Sequence, residues 1–292
     1  MTFFEALLDP SFPFLLHAVL AGTLSAVLFG ILGSIITVRR IGGLAGAISH
    51  AVLGGIGIAL FLSRKQILPW FSPFFGAVIF AVLAALIIGF VSLKAKQRED
   101  TIINAVWAIG MSIGILFLSM TPGYADPMTY LFGNILMISS ADLVLLAILD
   151  LILLLLVILF YHYIEASSFD EEFAFVKGVP IKLIYFIIIL LSAVAIVLVQ
   201  TYIGIVMVIA MLVLPAGACN SWVKSLAGMM AGASIIAFLS SISGIYIAWA
   251  TDKPAGSIIV LVTGFIFICS IVGKSLLRRI IAYRRGVVDD KN

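Results

Sequence analysis

Long apolar stretches recur along the whole chain, and short polar seams separate them. Most stretches are roughly 18–25 residues long, the length of an α-helix that crosses a bilayer. We predict nine such segments, at 13–38, 41–62, 70–93, 102–119, 141–163, 181–200, 203–221, 225–249 and 255–273. The pattern therefore predicts an all-α fold, a polytopic transmembrane bundle of eight or nine spanning helices. The weakest boundary is the Thr201–Tyr202 hinge. If residues 181–221 enter and leave the membrane on one side instead of crossing it twice, the number of spanning helices is lower.

Composition supports this interpretation. Hydrophobic residues make up 63% of the 292 residues and charged residues only 11%, whereas charged residues form about 25% of an ordinary soluble domain. No linker rich in Pro or Ser divides the chain, so we predict one transmembrane domain over residues 1–292. We expect a multi-pass protein of a bacterial-type plasma (inner) membrane, in contact with lipid and without a nucleic-acid partner.

The basic residues indicate an orientation. With the N-terminus outside, only Arg64, Lys65 and Lys253 of the 17 Lys and Arg residues fall outside. The others fall inside, at Arg39, Arg40, Lys94, Lys96, Arg98, Lys177, Lys182 and Lys224 and in the tail over residues 274–292. Cytoplasmic loops carry the excess of basic residues, so this split predicts the N-terminus outside and the C-terminus inside. The basic tail also suits an anchor on anionic lipid.

Several catalytic patterns are absent. The chain contains no HExxH, GxSxG or CxxC, the usual motifs of metalloproteolysis, serine hydrolysis and thiol redox chemistry. Gly273-Lys274-Ser275 resembles the end of a phosphate-binding loop, but Ile268 stands where that loop needs Gly. We therefore expect no enzyme activity, no ATP hydrolysis by this chain and no permanently bound cofactor.

One histidine lies deep in an apolar segment. His50 is the tenth residue of segment 41–62, and it continues a stripe at helical spacing with Gly42, Gly46 and Gly54. Small residues one turn apart let a second helix approach closely. We predict that Gly46, Ser49 and Gly54 line a pathway or pack at a helix contact, with His50 as a metal or proton ligand. The alternative is a buried histidine bonded to a neighbouring helix.

One carboxylate lies at a similar depth. Asp150 is the tenth residue of segment 141–163, and ionisable groups inside a membrane are rare because their burial costs several kcal/mol, roughly. Asp150 is therefore a second candidate metal ligand. A structural hydrogen bond to a neighbouring helix is the alternative.

The loop at about 165–182 combines acids with aromatic residues. Its pattern predicts a short cytoplasmic helix with Ser168 as the N-cap, ended by Gly178 and Pro180. Exposed apolar side chains on such a helix suggest docking to another protein. A helix lying on the membrane surface is the alternative, although acids weaken binding to an anionic leaflet. The candidate docking residues are Phe169, Asp170, Glu172, Phe173 and Gly178.

In this order, six stretches resemble the permease subunits of the zinc/manganese/iron class of ATP-binding-cassette importers. The resemblance extends over roughly residues 15–275. The stretches are Ala47-Ile-Ser-His-Ala-Val-Leu-Gly-Gly, Glu99-Asp-Thr, Tyr130-Leu-Phe-Gly-Asn, Ser168-Phe-Asp-Glu-Glu-Phe, Val213-Leu-Pro-Ala-Gly-Ala and Lys253-Pro-Ala-Gly-Ser-Ile-Ile-Val-Leu-Val.

The resemblance implies an assembly and a cargo. Two permease chains, identical or different, would pair around a central pathway, driven by cytoplasmic ATP-binding-cassette ATPases. An extracytoplasmic metal-binding protein would deliver a divalent zinc, manganese or iron ion, and the loop around residues 169–178 would couple the permease to the ATPase. One position departs from the family, since Gly46 stands where the family usually has an Asp one turn before the intramembrane His. Asp150 or a second chain could supply the missing oxygen ligand, or the ion could pass without tight coordination.

Two other functions stay open at this stage. A metal-chelate or cobalamin-type importer has a similar number of helices but needs a wide cavity. A proton- or sodium-coupled metal carrier would instead use His50 and Asp150 as a relay. Uptake that depends on the proton gradient and not on ATP would identify the carrier.

Overall fold

The computed structural model describes residues 3–94, 99–123 and 127–284. Over these ranges the chain forms α-helices, one short 3₁₀ helix at Ile135–Met137 and no β-strand. The α-helices are α1 (Phe3–Leu8), α2 (Pro13–Val38), α3 (Gly43–Arg64), α4 (Pro73–Lys94), α5 (Glu99–Met120), α6 (Pro127–Phe132), α7 (Ser140–Phe169), α8 (Glu171–Val176), α9 (Ile181–Ile203), α10 (Ile205–Asn220), α11 (Leu226–Thr251) and α12 (Ala255–Arg284).

Eight of the described helices are long and apolar enough to cross a membrane: α2, α3, α4, α5, α7, α9, α11 and α12. Helix α10 has 16 residues, so it is about 24 Å long against a hydrocarbon core of about 30 Å. The predicted all-α bundle of eight or nine spanning helices is confirmed.

The centre of the bundle is formed by α2 and α3. Helix α2 packs against α7, α10 and α11, and α3 packs between α4 and α5 and also meets α9 and α10. Small residues make these close approaches possible: the backbone at Gly54 and Gly57 of α3 lies against the carbonyls of Gly110 and Gly114 of α5. A side chain at either α3 position would meet that backbone, so the glycines set the distance between the two helices.

The break between the sixth and seventh segments lies at Gly204. Our placement of the hinge at Thr201–Tyr202 is wrong by two residues, because both belong to α9. Gly204 has φ 89°, a left-handed conformation that favours glycine. The main chain of Gly204 also lies directly against Gly133, so neither position has room for a side chain. The Asn134 N–H donates to the Tyr202 carbonyl at 3.0 Å, which ties this break to the end of α6.

Helix α10 returns to the end of the bundle at which α9 begins. A polar cavity of about 550 Å³ is lined by Arg39 after α2, Ser168 near the end of α7, Tyr185 near the start of α9 and Asn220 at the end of α10. These four residues therefore lie at one end of the bundle, which we call the Arg39 end. Because α9 starts at the Arg39 end and α10 finishes there, the two helices run through the bundle in opposite directions.

Two helices continue beyond the predicted apolar segments. Helix α7 reaches Phe169 instead of ending near 163, and α12 reaches Arg284 instead of ending near 273. The first part of the basic tail is therefore a continuation of α12. There, the Lys274 Nζ lies 6.0 Å from the Trp222 ring centroid. Lys96, Arg98 and the tail residues 285–292 lie outside the described residues, and the predicted orientation of the termini stays a prediction.

Candidate functional site

His50 lies in the first half of α3, and its ring is bonded to its own helix. The Nδ1 atom is 2.7 Å from the Gly46 carbonyl oxygen. A carbonyl oxygen only accepts, so Nδ1 is the atom that carries the hydrogen and donates. The lone pair is then on Nε2, which points away from that bond. A neutral imidazole with one bonded Nδ1–H is the form that binds metal ions through Nε2.

Trp107 of α5 lies beside this ring. The two rings meet edge to face, with centroids 5.4 Å apart and planes at 86°. His50 is half-buried, and Trp107 is 43% exposed. The indole therefore restricts the orientation of the imidazole without covering it. Sequence reasoning missed Trp107, because its proximity to His50 depends on how α5 packs against α3.

Gly46 and Gly54 differ in the space that a side chain would have at each position. A Cβ at Gly54 would lie 2.9 Å from the Gly110 carbonyl oxygen, so this glycine lies at a close helix contact. A Cβ at Gly46 would have only Ile209 Cδ1 nearby, at 3.9 Å. The expectation of a close contact at Gly46 is therefore wrong: the half-buried face one turn before His50 has room for a side chain.

Ser49 faces a different helix from His50. Ser49 is fully buried, and its carbonyl accepts a hydrogen bond from the Gln200 Nε2 of α9 at 3.1 Å. Successive residues of a helix point about 100° apart, so neighbours in sequence can face different partners. The main chain at Ser49 therefore lies at the α3–α9 contact. Gln200, a buried polar residue within a spanning helix, is another residue that sequence reasoning missed.

Asp150 is buried in α7, with 5% of its surface exposed. Neither carboxylate oxygen has a hydrogen-bond donor among the described residues. The main neighbours of α7 are α2, α8 and α9, whereas α3 packs against α4, α5, α9 and α10. Over residues 3–94, 99–123 and 127–284, no three His, Cys, Asp or Glu residues form a group suited to a metal ion.

The predicted docking segment is a six-residue helix, α8, that follows α7 after a one-residue break. The sequence predicted Ser168 as the N-cap of this helix, and that prediction is wrong. Ser168 lies inside α7, where its Oγ donates to the Ile164 carbonyl at 2.6 Å. The N-cap is Asp170, whose Oδ1 accepts from the Phe173 N–H at 2.9 Å. Ser168 and Asp170 are both residue types that can cap a helix. Asp170, which also ends α7, is the one that caps α8.

The side chains of this segment are largely turned outward. Phe169, Phe173, Phe175 and Val176 are all more than half exposed, whereas Ala174 is fully buried against the bundle. Asp170 and Glu172 are exposed as well. Gly178 ends the segment with φ 78° and open space around it. The result is an exposed apolar surface with an acidic margin at the Arg39 end of the bundle.

Comparison with known families and proteins places this arrangement in context. A family model described as the ABC 3 transport family matches residues 11–274. A metal transport system membrane protein of Chlamydia muridarum is 37% identical over 263 residues, covering 90% of this chain and 89% of that protein. The manganese transport system membrane protein MntC of Listeria monocytogenes is 34% identical over 268 residues, covering 91% of this chain and 92% of that protein.

A solved structure has the same fold. The PsaBC complex of Streptococcus pneumoniae, determined with a Fab, contains a chain that is 29% identical and superposes with a TM-score of 0.79. The similarity covers 92% of this chain and 94% of that chain. The likeness therefore extends over nearly the whole bundle.

Proposed function

This chain belongs to the ABC 3 transport family, and we propose that it is the permease subunit of an ATP-driven importer of divalent transition-metal ions: zinc, manganese or iron. The family predicted from the six sequence stretches is confirmed, as is a multi-pass location in a bacterial plasma membrane. As a transport permease, the chain is not itself an enzyme. The metal is cargo and not a resident cofactor.

The observation that carries the proposal is the Nε2 of His50, which has no hydrogen-bond partner among the described residues and lies on a half-open face of a spanning helix. Imidazole is a suitable ligand for zinc, and for manganese or iron when oxygen ligands assist. Gly46 supplies no such oxygen from its side chain. One weakly held ligand per chain also suits transport, because the ion must leave the site as readily as it enters.

A second permease chain completes the pathway in this proposal. A half-exposed imidazole within a membrane-spanning helix is costly if it faces lipid, so we assign the α3–α5 face around His50 to contact with the second chain. That chain, identical or different, is also the source that we propose for the missing oxygen ligand, because the main neighbours of α7, the helix of Asp150, are α2, α8 and α9 and not α3. At the Arg39 end, a cytoplasmic ATPase docks on α8. At the opposite end, an extracytoplasmic metal-binding protein delivers the ion.

The test is metal uptake by the complete transporter in proteoliposomes. We expect His50→Ala to reduce uptake by at least about tenfold, the usual scale for loss of a metal-binding contact, while the complex assembles and basal ATP hydrolysis stays measurable. His162→Ala is the matched control, because His162 is exposed near the end of α7. Gly46→Asp, which the open space above Gly46 accommodates, should strengthen retention of manganese.

Three outcomes would contradict the proposal. Wild-type uptake by His50→Ala across a range of metal concentrations would remove its role as a ligand and leave a structural histidine. Uptake that persists without ATP but collapses with the proton gradient would instead identify the chain as a secondary carrier. Uptake of a metal chelate but not of the free ion would identify the metal-chelate or cobalamin-type importer.

A further inference from the structure

Arg39 is a buried arginine at the junction of two central helices. It follows the last residue of α2, and its N–H donates to the Ile35 carbonyl at 3.0 Å. Only 4% of its side chain is exposed. A buried guanidinium is costly unless hydrogen bonds and opposite charge surround it, so its contacts explain why it is tolerated there.

Those contacts connect three other elements. The Nη2 atom donates to the Ser167 Oγ at 2.7 Å and to the Ser167 carbonyl at 3.1 Å, and the Nε atom donates to the Ser168 Oγ at 3.3 Å. The Nη1 atom lies 3.6 Å from the Glu171 carboxylate. The guanidinium also lies over the Tyr185 ring, 5.6 Å from its centroid. One side chain therefore joins the end of α2 to the end of α7, the start of α8 and the first turns of α9.

The position of Arg39 links the docking segment to the helix of His50. Four residues after Arg39 the chain enters α3 at Gly43, and His50 lies two turns further along. The planar guanidinium makes several hydrogen bonds in one fixed geometry, which a lysine cannot reproduce. A polar cavity of about 550 Å³ lies beside this connection, and Arg39, Ser168 and Glu171 are among the residues that line it.

We propose that Arg39 is the positioning residue that transmits movement of the docking segment to the α2–α3 corner, and so to the helix that carries His50. The inference rests on the proposed function, since it assumes that an ATPase moves this segment. Arg39 touches neither the ion nor the nucleotide. Its role is to make metal movement follow ATP hydrolysis.

The test is the number of metal ions transported per ATP hydrolysed by the assembled complex in proteoliposomes. For Arg39→Met we expect assembly and basal hydrolysis to persist, while metal transported per ATP falls by at least about fivefold, the low end of measured coupling between sites. Arg39→Lys should give an intermediate value. Lys224→Ala, which removes an exposed basic residue at the same end, should match wild type.

Arg39→Met is chosen because the residues that contact Arg39 keep other hydrogen-bond partners or contact with solvent when the guanidinium is removed. The hydroxyls of Ser167 and Ser168 both donate to the Ile164 carbonyl, and Glu171 is 64% exposed to solvent. If this variant nevertheless fails to assemble, the Ser167→Ala and Ser168→Ala double variant removes two hydroxyl acceptors and leaves Arg39 in place. The same loss of metal per ATP is expected for it.

The results separate this inference from the proposed function. If the wild-type complex hydrolyses ATP and moves metal, and Arg39→Met or the serine double variant does so with the same ratio, the positioning role is overturned. Failure of both variants to assemble would assign Arg39 to folding and overturn it too. If the wild-type complex moves no metal at all, the proposed function itself fails.

Discussion

At the scale of single residues, the glycines of α3 determine how close the neighbouring helices come. Gly54 lies against the Gly110 backbone of α5, and no side-chain rotation can relieve a clash with a main-chain carbonyl. Gly264 of α12 offers the opposite case, because nothing lies within 4 Å of the place where its Cβ would stand. The two positions form a matched pair of helical glycines for mutation.

We expect Gly54→Leu to destabilise the bundle by about 1–3 kcal/mol, the usual cost of inserting atoms into a packed interface. The reason is that α3 and α5 must separate to admit the side chain. Thermal unfolding of the purified protein in detergent measures the effect, with Gly264→Leu as the control. Equal unfolding temperatures for the two variants would show that the α3–α5 contact has more freedom than the structure indicates.

At the scale of elements, α8 combines a buried anchor with an outward apolar surface. Ala174 attaches it to the bundle, while the Phe173 side chain is 56% exposed beside Lys177, whose Nζ lies 5.6 Å from the ring centroid. Aromatic side chains on an exposed short helix are typical anchors of protein interfaces. In the proposed function, this surface is where the ATPase docks.

Phe173→Asp should therefore weaken ATPase binding by at least about 2 kcal/mol, as expected for an interface anchor, and abolish metal-stimulated ATP hydrolysis. Affinity of the purified permease for the ATPase is the measurement, and unchanged thermal unfolding shows that the bundle is intact. Trp70→Asp is the control, because Trp70 is a similarly exposed aromatic at the opposite end. Normal hydrolysis and transport by Phe173→Asp would show that α8 is not the coupling element.

At the scale of the whole molecule, positive charge is divided between the two ends of the bundle. The described residues Arg39, Arg40, Lys177 and Lys224 lie at the Arg39 end or in the connections that join helices there. Arg64 is the last residue of α3, and Lys65 and Lys253 lie in connections at the same, opposite end. Because basic residues are retained on the cytoplasmic side, the Arg39 end should be cytoplasmic.

Cysteine labelling tests this orientation. In a variant whose two native cysteines are replaced by serine, Lys65→Cys should react with an impermeant maleimide added to intact cells, and Lys224→Cys should react only after permeabilisation. Both side chains are exposed, so accessibility within the fold does not distinguish them. The reverse pattern of labelling would invert the topology and place α8 out of reach of a cytoplasmic ATPase.

Local sequence was sufficient to predict the helices and the family. A backbone in lipid must satisfy its own hydrogen bonds, so each apolar run of membrane length becomes a helix irrespective of its neighbours. The depth of His50 and the surface character of the α8 segment follow from the same local pattern. These features need no knowledge of which helices touch.

The errors arose where a distant part of the chain decided the outcome. The break falls at Gly204 because its backbone packs against Gly133, some seventy residues earlier. Gly46 proved open because α10 approaches it only loosely, through Ile209. None of these contacts has a signal in the local sequence.

The sequence by itself thus determined which apolar runs become helices, because burial of apolar residues and satisfaction of backbone groups in lipid are local requirements. Only the tertiary structure placed Trp107 beside His50, brought the Gln200 side chain to the Ser49 carbonyl and brought Arg39 to Ser167. Each pair joins residues far apart in the chain. Their contact depends on how the helices pack. That packing is controlled by the small residues at the helix contacts and by the positions of the breaks between helices.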